Sequence, residues 1–194
     1  MCATATLFSN RSVRVGLHFN MGLSNYFDLR QAFPFYGAYH NEKRNQVIHC
    51  VFVPVIFTTA LTFGSFVKLG STGLTLSDAA AVFYAVSFVK MDTTAGLLYA
   101  PVIGAMHHIG TRVLTANLPL AIGLHAVGWI SQFIGHGVFE GRKPALLDNL
   151  FQSLHAAVFF VWLEVLFALG YRPKLKRELD QLIAQRIAVM NKTA

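Results

Sequence analysis

The sequence has 194 residues, of which 54% are hydrophobic and only 13% are charged, whereas soluble domains carry about 25% charged residues. Residues 47–170 hold five basic and five acidic side chains, so the net charge of +7 is concentrated at the two ends. So few charges cannot cover a water-soluble globule, which argues against a disordered chain, a secreted disulfide scaffold and a nucleic-acid-binding domain. The composition predicts a membrane protein whose basic ends contact anionic membrane lipids and which has no nucleic-acid partner.

The predicted elements begin after an amino-terminal extension. Residues 1–20 contain no acidic side chain and no apolar run long enough for a secretory signal, so we expect a flexible extension outside the fold. Residues 24–40 are too polar to span a bilayer and suit a short helix at the membrane interface, which we expect Pro34 to interrupt. The main domain is predicted over residues 21–179, followed by a helical tail over 180–194.

Five hydrophobic runs follow the interfacial helix, at residues 47–67, 74–89, 94–110, 118–138 and 150–170. A bilayer core about 30 Å thick takes about 20 helical residues, so the first, fourth and fifth runs are long enough to span it. The second and third are short, and the polar triplet Lys90-Met91-Asp92 separates them. After residue 171 the sequence predicts a basic amphipathic helix. The predicted fold class is therefore all-α, a polytopic membrane bundle of four to five hydrophobic segments between an interfacial helix and a basic helix.

The basic residues between the runs predict the orientation of the bundle. Lys43 and Arg44 place the start of the first run in the cytosol, and four crossings return Arg142 and Lys143 to the cytosol. A fifth crossing would send the basic segment after residue 171 to the far side, which the positive-inside rule disfavours. We therefore expect the fifth run to be re-entrant or to lie on the surface, unless one of the short middle runs fails to cross. Both termini are expected in the cytosol.

Histidine is the residue type that suggests chemistry, because all eight histidines except His18 lie in or beside the apolar runs. Ionisable groups there are costly, so they indicate function by default. On the fourth run, Gln132, His136 and Glu140 stand at i, i+4 and i+8, which places them on one face of a continuous helix. An imidazole and a carboxylate one turn apart form half of a nitrogen- and oxygen-rich site of the kind that Fe(II) uses.

Two further histidines are expected at the same depth as His136. His40 and His49 are nine residues apart and can share a metal only if the chain turns between them, which the intervening NEKRNQ segment allows. His125 is about 16 Å from His136 along a continuous helix, so it is expected to make a buried polar contact inside the bundle. The pair His107-His108 ends the third run, where we expect a structural or interfacial role.

Three sequence blocks carry a resemblance to a known family. They are FYGAYHNEKRNQVIHCVFVP (35–54), GWISQFIGHGVFEGRKPALLDNLFQSL (128–154) and LEVLFALGYRPKL, and together they closely resemble the fungal 2-hydroxy-palmitate dioxygenase family. The resemblance implies a protein of the endoplasmic reticulum membrane that uses Fe(II) and O₂ to shorten a 2-hydroxy fatty acid by one carbon, an alpha-oxidation step in the breakdown of long-chain bases such as phytosphingosine. It further implies that His40, His49 and His136 hold the iron. Residues 68–117 match the family only in hydrophobicity.

The rest of the site follows as a hypothesis from this chemistry. Three imidazoles leave about three iron positions open, two for the carboxylate and hydroxyl oxygens of the substrate and one for O₂. Glu140 is expected as a fourth ligand or as an acceptor that fixes an imidazole tautomer, a role that Asp148 or Asn149 could also fill. The candidate substrate-binding residues are Gln132, Arg142 and Lys143, the two basic residues being equally compatible with ordinary membrane anchors. The acyl tail is placed among Trp129, Phe133 and Phe151.

Three other functions are alternatives for a sequence of this kind. A di-iron membrane hydroxylase or desaturase has a similar number of histidines but needs several His-x-x-His-His or His-x-x-x-His boxes, which the sequence lacks. A haem protein could pair His125 with His155, but the predicted topology places them about 12 Å apart in depth. The strongest non-enzymatic alternative is a lipid-binding or membrane-shaping scaffold with incidental histidines.

Overall fold

The computed structural model describes residues 26–141 and 150–193, and its regular elements in these ranges are helical apart from one isolated bridge between Lys68 and Thr75. The seven α-helices are α1 (Leu29–Gly37), α2 (Lys43–Gly64), α3 (Leu76–Met91), α4 (Thr93–His108), α5 (Leu118–Ile134), α6 (Leu150–Ala168) and α7 (Pro173–Thr193). The all-α class is thereby confirmed. Helices α2 to α6 coincide with the five predicted hydrophobic runs, and α7 with the predicted basic helix.

Two of these helices are long and apolar enough to cross a membrane. They cover Lys43–Gly64 and Leu118–Glu140, with 22 and 23 residues. Helices α3 and α4 have 16 residues each and form a hairpin that turns at Asp92, as the polar triplet predicts. Thr75 and Asp78 form a reciprocal capping box at the start of α3, which fixes the beginning of this hairpin.

Helix α1 differs from its prediction in two ways. Pro34 lies inside the helix without interrupting it, because a proline removes only its own N–H and the helix continues through the bond from Ala38 N to the Pro34 carbonyl. The helix is also largely buried, since it packs on α6 and α7. Phe33 contacts Phe160 at 4.7 Å between ring centroids, and an ion pair links Arg30 to Glu178 on α7.

The carboxyl end of α5 continues as a π-helix over Gly135–Glu140. A π-helix, with its i→i+5 hydrogen bonds, has slightly more than four residues per turn, so positions four apart still lie near one face. The expectation that Gln132, His136 and Glu140 line a single helix face is compatible with this geometry and stays a prediction. The π-helix ends at Gly141, whose φ of 63° suits glycine.

Helix α6 is a largely buried core helix that contacts α1, α2 and α4. Its Phe159 stacks on Phe88 at 4.5 Å and its Trp162 stacks on Tyr99 at 4.7 Å between ring centroids. Aromatic stacking of buried rings adds to the stabilisation that comes from their burial. The fifth hydrophobic run is thus a core helix. The expectation that it does not cross the membrane stays a prediction.

The buried carboxylate of Asp92 joins this core to the end of the chain. Its oxygens accept hydrogen bonds from the backbone N–H of Ala95 at 3.0 Å and from the hydroxyl of Tyr171 at 2.8 Å, and it forms an ion pair with Arg172. One side chain therefore caps α4 and holds the turn between α6 and α7 against the α3–α4 hairpin.

Replacing Asp92 with alanine should lower the stability of the protein by about 2 kcal/mol, because it removes a helix cap and two hydrogen bonds. Thermal unfolding in detergent, followed by tryptophan fluorescence, measures this loss. Asp180→Ala is the matched control, since Asp180 pairs with Lys176 on the exposed side of α7 and such pairs contribute less than about 0.5 kcal/mol. Equal melting temperatures for the two variants would contradict this role for Asp92.

Candidate metal centre

Three histidines from distant parts of the sequence converge at one point. His40 lies in the turn after α1, His49 in the second turn of α2 and His136 in the π-helix after α5. One potential ligand atom from each lies within 4.8 Å of the others, and the three residues are only 2–3% exposed. The predicted turn between His40 and His49 is present, and it brings the two imidazoles together. No other group of three or more such ligands occurs in residues 26–141 and 150–193.

Hydrogen bonds to the backbone determine which nitrogens of two imidazoles carry protons. Nδ1 of His40 lies 2.8 Å from the carbonyl oxygen of Tyr36, and Nδ1 of His49 lies 2.9 Å from that of Asn45. A carbonyl can only accept, so both Nδ1 atoms donate, and in the neutral rings both Nε2 atoms carry lone pairs. These two Nε2 atoms lie 3.0 Å apart. Facing lone pairs at that distance repel each other unless a cation lies beside them, so the residues fit a bound metal ion.

The surroundings of His40 keep it neutral and fixed. Burial lowers its pKa well below the usual range, and the neighbouring His49 and His136 lower it further. A metal-binding imidazole must be unprotonated, so this environment suits a ligand. Tyr36 stacks on the His40 ring at 3.8 Å between centroids, and the side-chain amide of Gln46 donates to the His40 carbonyl at 2.8 Å.

The π-helix brings His136 against α2. Nδ1 of His136 is buried and has no hydrogen-bond partner in the described parts of the chain. The preceding residue, Gly135, lies so close to α2 that a Cβ would overlap the side-chain oxygen of Asn45. Glycine at position 135 therefore permits this approach, whereas Gly137 faces open space.

Glu140 connects the π-helix to the turn that carries His40. One carboxylate oxygen accepts from the backbone N–H of Asn41 at 3.0 Å, and the other accepts from the N–H of Glu42 at 3.0 Å and the side-chain amide of Asn45 at 3.1 Å. The expected role as acceptor for an imidazole belongs instead to two backbone carbonyls. Glu140 is also absent from the histidine cluster, because its carboxylate binds the α1–α2 turn. These hydrogen bonds, here called the Glu140 clamp, connect the π-helix, which carries His136, to the α1–α2 turn, which carries His40.

The remaining predicted site residues fall into two groups. Gln132 is buried and lines the cavity beside the three histidines. The other group lies outside the described residues and comprises Arg142, Lys143, Asp148 and Asn149. The site also contains residues that the sequence did not single out for function, namely Ser153 and Tyr84 on the cavity wall and Tyr36 under His40.

A cavity of about 340 Å³ opens from the histidine cluster. Apart from the histidines, Gln132 and Ser153, its wall is formed mainly by apolar and aromatic side chains of α2, α5 and α6: Val53, Ile56, Phe57, Ala60, Trp129, Phe133, Leu154, Ala157 and Val158. A polar, metal-compatible end and a long apolar wall suit a molecule with a polar head and a hydrocarbon tail. Of the three side chains expected beside the tail, Trp129 and Phe133 belong to this lining, whereas Phe151 does not and is 52% exposed.

The histidines outside the cluster have other partners. His125 is half-buried and accepts from Nε1 of Trp129 at 3.0 Å, while its Nδ1 lies 2.8 Å from the hydroxyl of Thr59, so the predicted polar contact is confirmed. His155 lies 2.8 Å from the hydroxyl of Ser87. With both ring nitrogens of His125 engaged, a haem ligated by His125 and His155 receives no support. His107 pairs with Asp78 at 3.0 Å, a structural role.

Glu140→Gln should weaken metal binding by about tenfold, because groups that position the metal ligands without binding the metal themselves typically contribute that much. The amide keeps one acceptor oxygen but replaces the other with a donor, which opposes the N–H groups of the turn. Competition with a fluorescent chelator measures the metal dissociation constant of the purified protein. Glu42→Gln, which alters the cap of α2 but leaves the Glu140 clamp, is the matched control. Unchanged affinity in Glu140→Gln would contradict the clamp.

Comparisons with known proteins identify the family of the chain. The family model described as 2-hydroxy-palmitic acid dioxygenase Mpo1-like matches residues 26–169, a range that includes all three histidines. The 2-hydroxy-palmitic acid dioxygenase MPO1 of Saccharomyces cerevisiae is 41% identical to this chain over 156 residues, which cover 79% of this chain and 88% of the yeast protein. No solved structure matches the chain. The chain therefore belongs to the family of 2-hydroxy-palmitic acid dioxygenase Mpo1-like proteins.

Proposed function

We propose that the protein is an Fe(II)-dependent dioxygenase that shortens 2-hydroxy fatty acids by one carbon. The observation that carries the proposal is the pair of unprotonated Nε2 atoms 3.0 Å apart, with a third buried imidazole beside them. Three nitrogen ligands and open positions suit non-haem Fe(II) chemistry with O₂. The yeast relative is named 2-hydroxy-palmitic acid dioxygenase, and this name supplies the substrate class.

The three histidines form the polar end of the cavity. His40, His49 and His136 would hold Fe(II), which supplies the electrons that make O₂ reactive. The cavity that opens from these imidazoles would receive O₂ together with the carboxylate and the 2-hydroxyl of the substrate. The backbone carbonyls of Tyr36 and Asn45 keep two of the rings in the ligand tautomer throughout. Arg142, Lys143 and Asp148 remain candidates for binding or proton transfer on the segment after the π-helix.

The apolar wall provides the second half of substrate recognition. Burial of a hydrocarbon chain contributes about 0.8 kcal/mol for each CH₂ group, so a long acyl tail between α2, α5 and α6 binds strongly without any polar contact. Trp129, Phe133 and Ile56 belong to this wall. The tail also excludes water from the reacting head, which favours oxidation of the bound acid over side reactions.

The packing of α1 on α7 supports an even number of membrane crossings. Helix α1 precedes the first apolar helix and α7 follows the last, yet Arg30 and Glu178 pair directly, so both helices lie on one side of the bundle. Neither helix is among those suited to span a membrane. We place this side, with the histidine cluster, in the cytosol and the polytopic bundle in the endoplasmic reticulum membrane, in keeping with Lys43, Arg44 and the basic α7.

The purified protein with Fe(II) and O₂ alone should convert 2-hydroxypalmitate to pentadecanoate. The atoms balance when the lost carbon leaves as CO₂ together with one water, so no organic co-substrate is needed. Product analysis by gas chromatography and oxygen uptake measure the reaction, and His49→Ala should abolish it. His107→Ala, which changes a histidine outside the cluster, should keep the activity.

Two results would contradict the proposed reaction. Dependence on 2-oxoglutarate or on a reductase at every turnover would favour a hydroxylase mechanism. Retention of iron without any turnover, combined with fatty-acid binding, would favour a lipid-binding scaffold.

The even-crossing topology predicts that both termini stay in the cytosol. A tail with a well-spaced Asn-x-Ser acceptor, fused after Ala194, should remain unglycosylated and accessible to protease from the cytosolic side, because glycosylation occurs only in the lumen. The native Asn191-Lys192-Thr193 acceptor lies too near the chain end to report reliably. The same tag in the loop between α2 and α3, residues 65–75, is the positive control, because the predicted topology places this loop in the lumen and the tag should be glycosylated there. Glycosylation of the carboxy-terminal tail would show an odd number of crossings or an inverted bundle.

A further inference from the structure

Two polar side chains interrupt the apolar wall of the cavity. Gln132 comes from α5 and Ser153 from α6, and they are 6% and 4% exposed. Nε2 of Gln132 and Oγ of Ser153 are buried and have no hydrogen-bond partner among the residues that the structure describes. Both side chains line the cavity that contains the three histidines.

Several other hydroxyls of the bundle do have partners, because they donate to a carbonyl in the preceding turn, as Thr58 does to Pro54 at 2.8 Å and Thr62 does to Thr58 at 3.1 Å. The buried hydroxyl of Ser77 also lacks a partner within the described ranges, but it does not line the cavity. Buried polar atoms are nearly always paired, because leaving one unpaired costs free energy. Two unpaired groups, on two helices and in one cavity, therefore point to a polar ligand that completes them.

We infer that Gln132 and Ser153 bind the polar head of the substrate and select 2-hydroxy acids over unsubstituted acids. The identity of the ligand rests on the proposed function. The amide Nε2 of Gln132 donates to a carboxylate oxygen, since an amide nitrogen is only a donor. The hydroxyl oxygen of Ser153 accepts a hydrogen bond from the 2-hydroxyl group of the substrate. The O–H of that group is free to donate when the 2-hydroxyl oxygen faces the histidine cluster.

Selectivity follows from the cost of an unpaired group. An acid without the 2-hydroxyl leaves Ser153 unpaired in an apolar wall, and sites built to bind a hydroxyl reject such analogues strongly. An unsubstituted fatty acid fills the apolar wall equally well, so the tail contributes nothing to this choice. Ser153 therefore determines selectivity for the 2-hydroxyl, while Gln132 contributes to the binding of either acid.

Equilibrium binding to the full-length protein with Fe(II) under strictly anaerobic conditions tests this inference, because no turnover occurs without O₂. The probes are 2-hydroxypalmitate and palmitate, and the readout is the dissociation constant from titration calorimetry. Ser153→Ala should weaken binding of 2-hydroxypalmitate by about tenfold and leave that of palmitate unchanged. Gln132→Met should weaken both acids by a similar factor, and Gln132→Glu should weaken both further, since a carboxylate there repels the substrate carboxylate.

Ser131→Ala is the matched control, because the Ser131 hydroxyl donates to the Val127 carbonyl within α5 at 2.8 Å; its affinities should equal those of the wild type. Melting temperature and iron content confirm that each variant is folded. Equal weakening of both acids by Ser153→Ala, or wild-type affinities in the Ser153 and Gln132 variants, would overturn the inference even if turnover is observed. Selective weakening without any turnover in air would instead preserve the head-group site and refute the dioxygenase.

Discussion

The close approach of two unprotonated imidazole nitrogens is the constraint on which the site depends. Nε2 of His40 and Nε2 of His49 lie 3.0 Å apart in a buried environment, and the carbonyls of Tyr36 and Asn45 hold the protons on the opposite ring nitrogens. A protein without a ligand there would have to relieve the repulsion by moving one ring or by changing a tautomer, at the cost of a buried hydrogen bond. The backbone of two helices thus prepares the rings for a cation.

Much of the fold can be understood as the support of this arrangement. The short turn between α1 and α2 brings His40 back towards His49, and α1 is held in place by its packing on α6 and α7. The π-helix brings His136 to the same point, with Gly135 allowing close contact and Glu140 fastening the π-helix to the turn. Elsewhere in the core, Asp92 links the α3–α4 hairpin to the α6–α7 turn. The site is therefore assembled by tertiary contacts from three separate segments.

The sequence predicts the elements well and the fine geometry poorly. Hydrophobic runs identify α2 to α6 within a few residues, because continuous apolar stretches require burial or a membrane. The grouping of His40, His49 and His136 follows from their common depth and from the resemblance to a family. The π-helix is not predictable from spacing, since the i→i+5 pattern has no compositional signature, and neither are the hydrogen bonds of Glu140 to the α1–α2 turn. Pro34 is compatible with α1 because the helix loses a single backbone hydrogen bond. Whether α1 continues through Pro34 depends on its packing against α6 and α7, which the sequence does not show. A lone Ser153 in an apolar run resembles any helix serine until its missing partner is seen.

X-ray absorption at the iron edge tests the central claim most directly. The full-length protein, purified in detergent and reconstituted with Fe(II), should bind one iron per chain with a scattering pattern of three imidazoles. Each of the variants His40→Ala, His49→Ala and His136→Ala should lose this signature, whereas His125→Ala should keep it. Iron that stays bound with an unchanged spectrum in the three cluster variants, or a wild-type protein that binds no iron, would contradict the account.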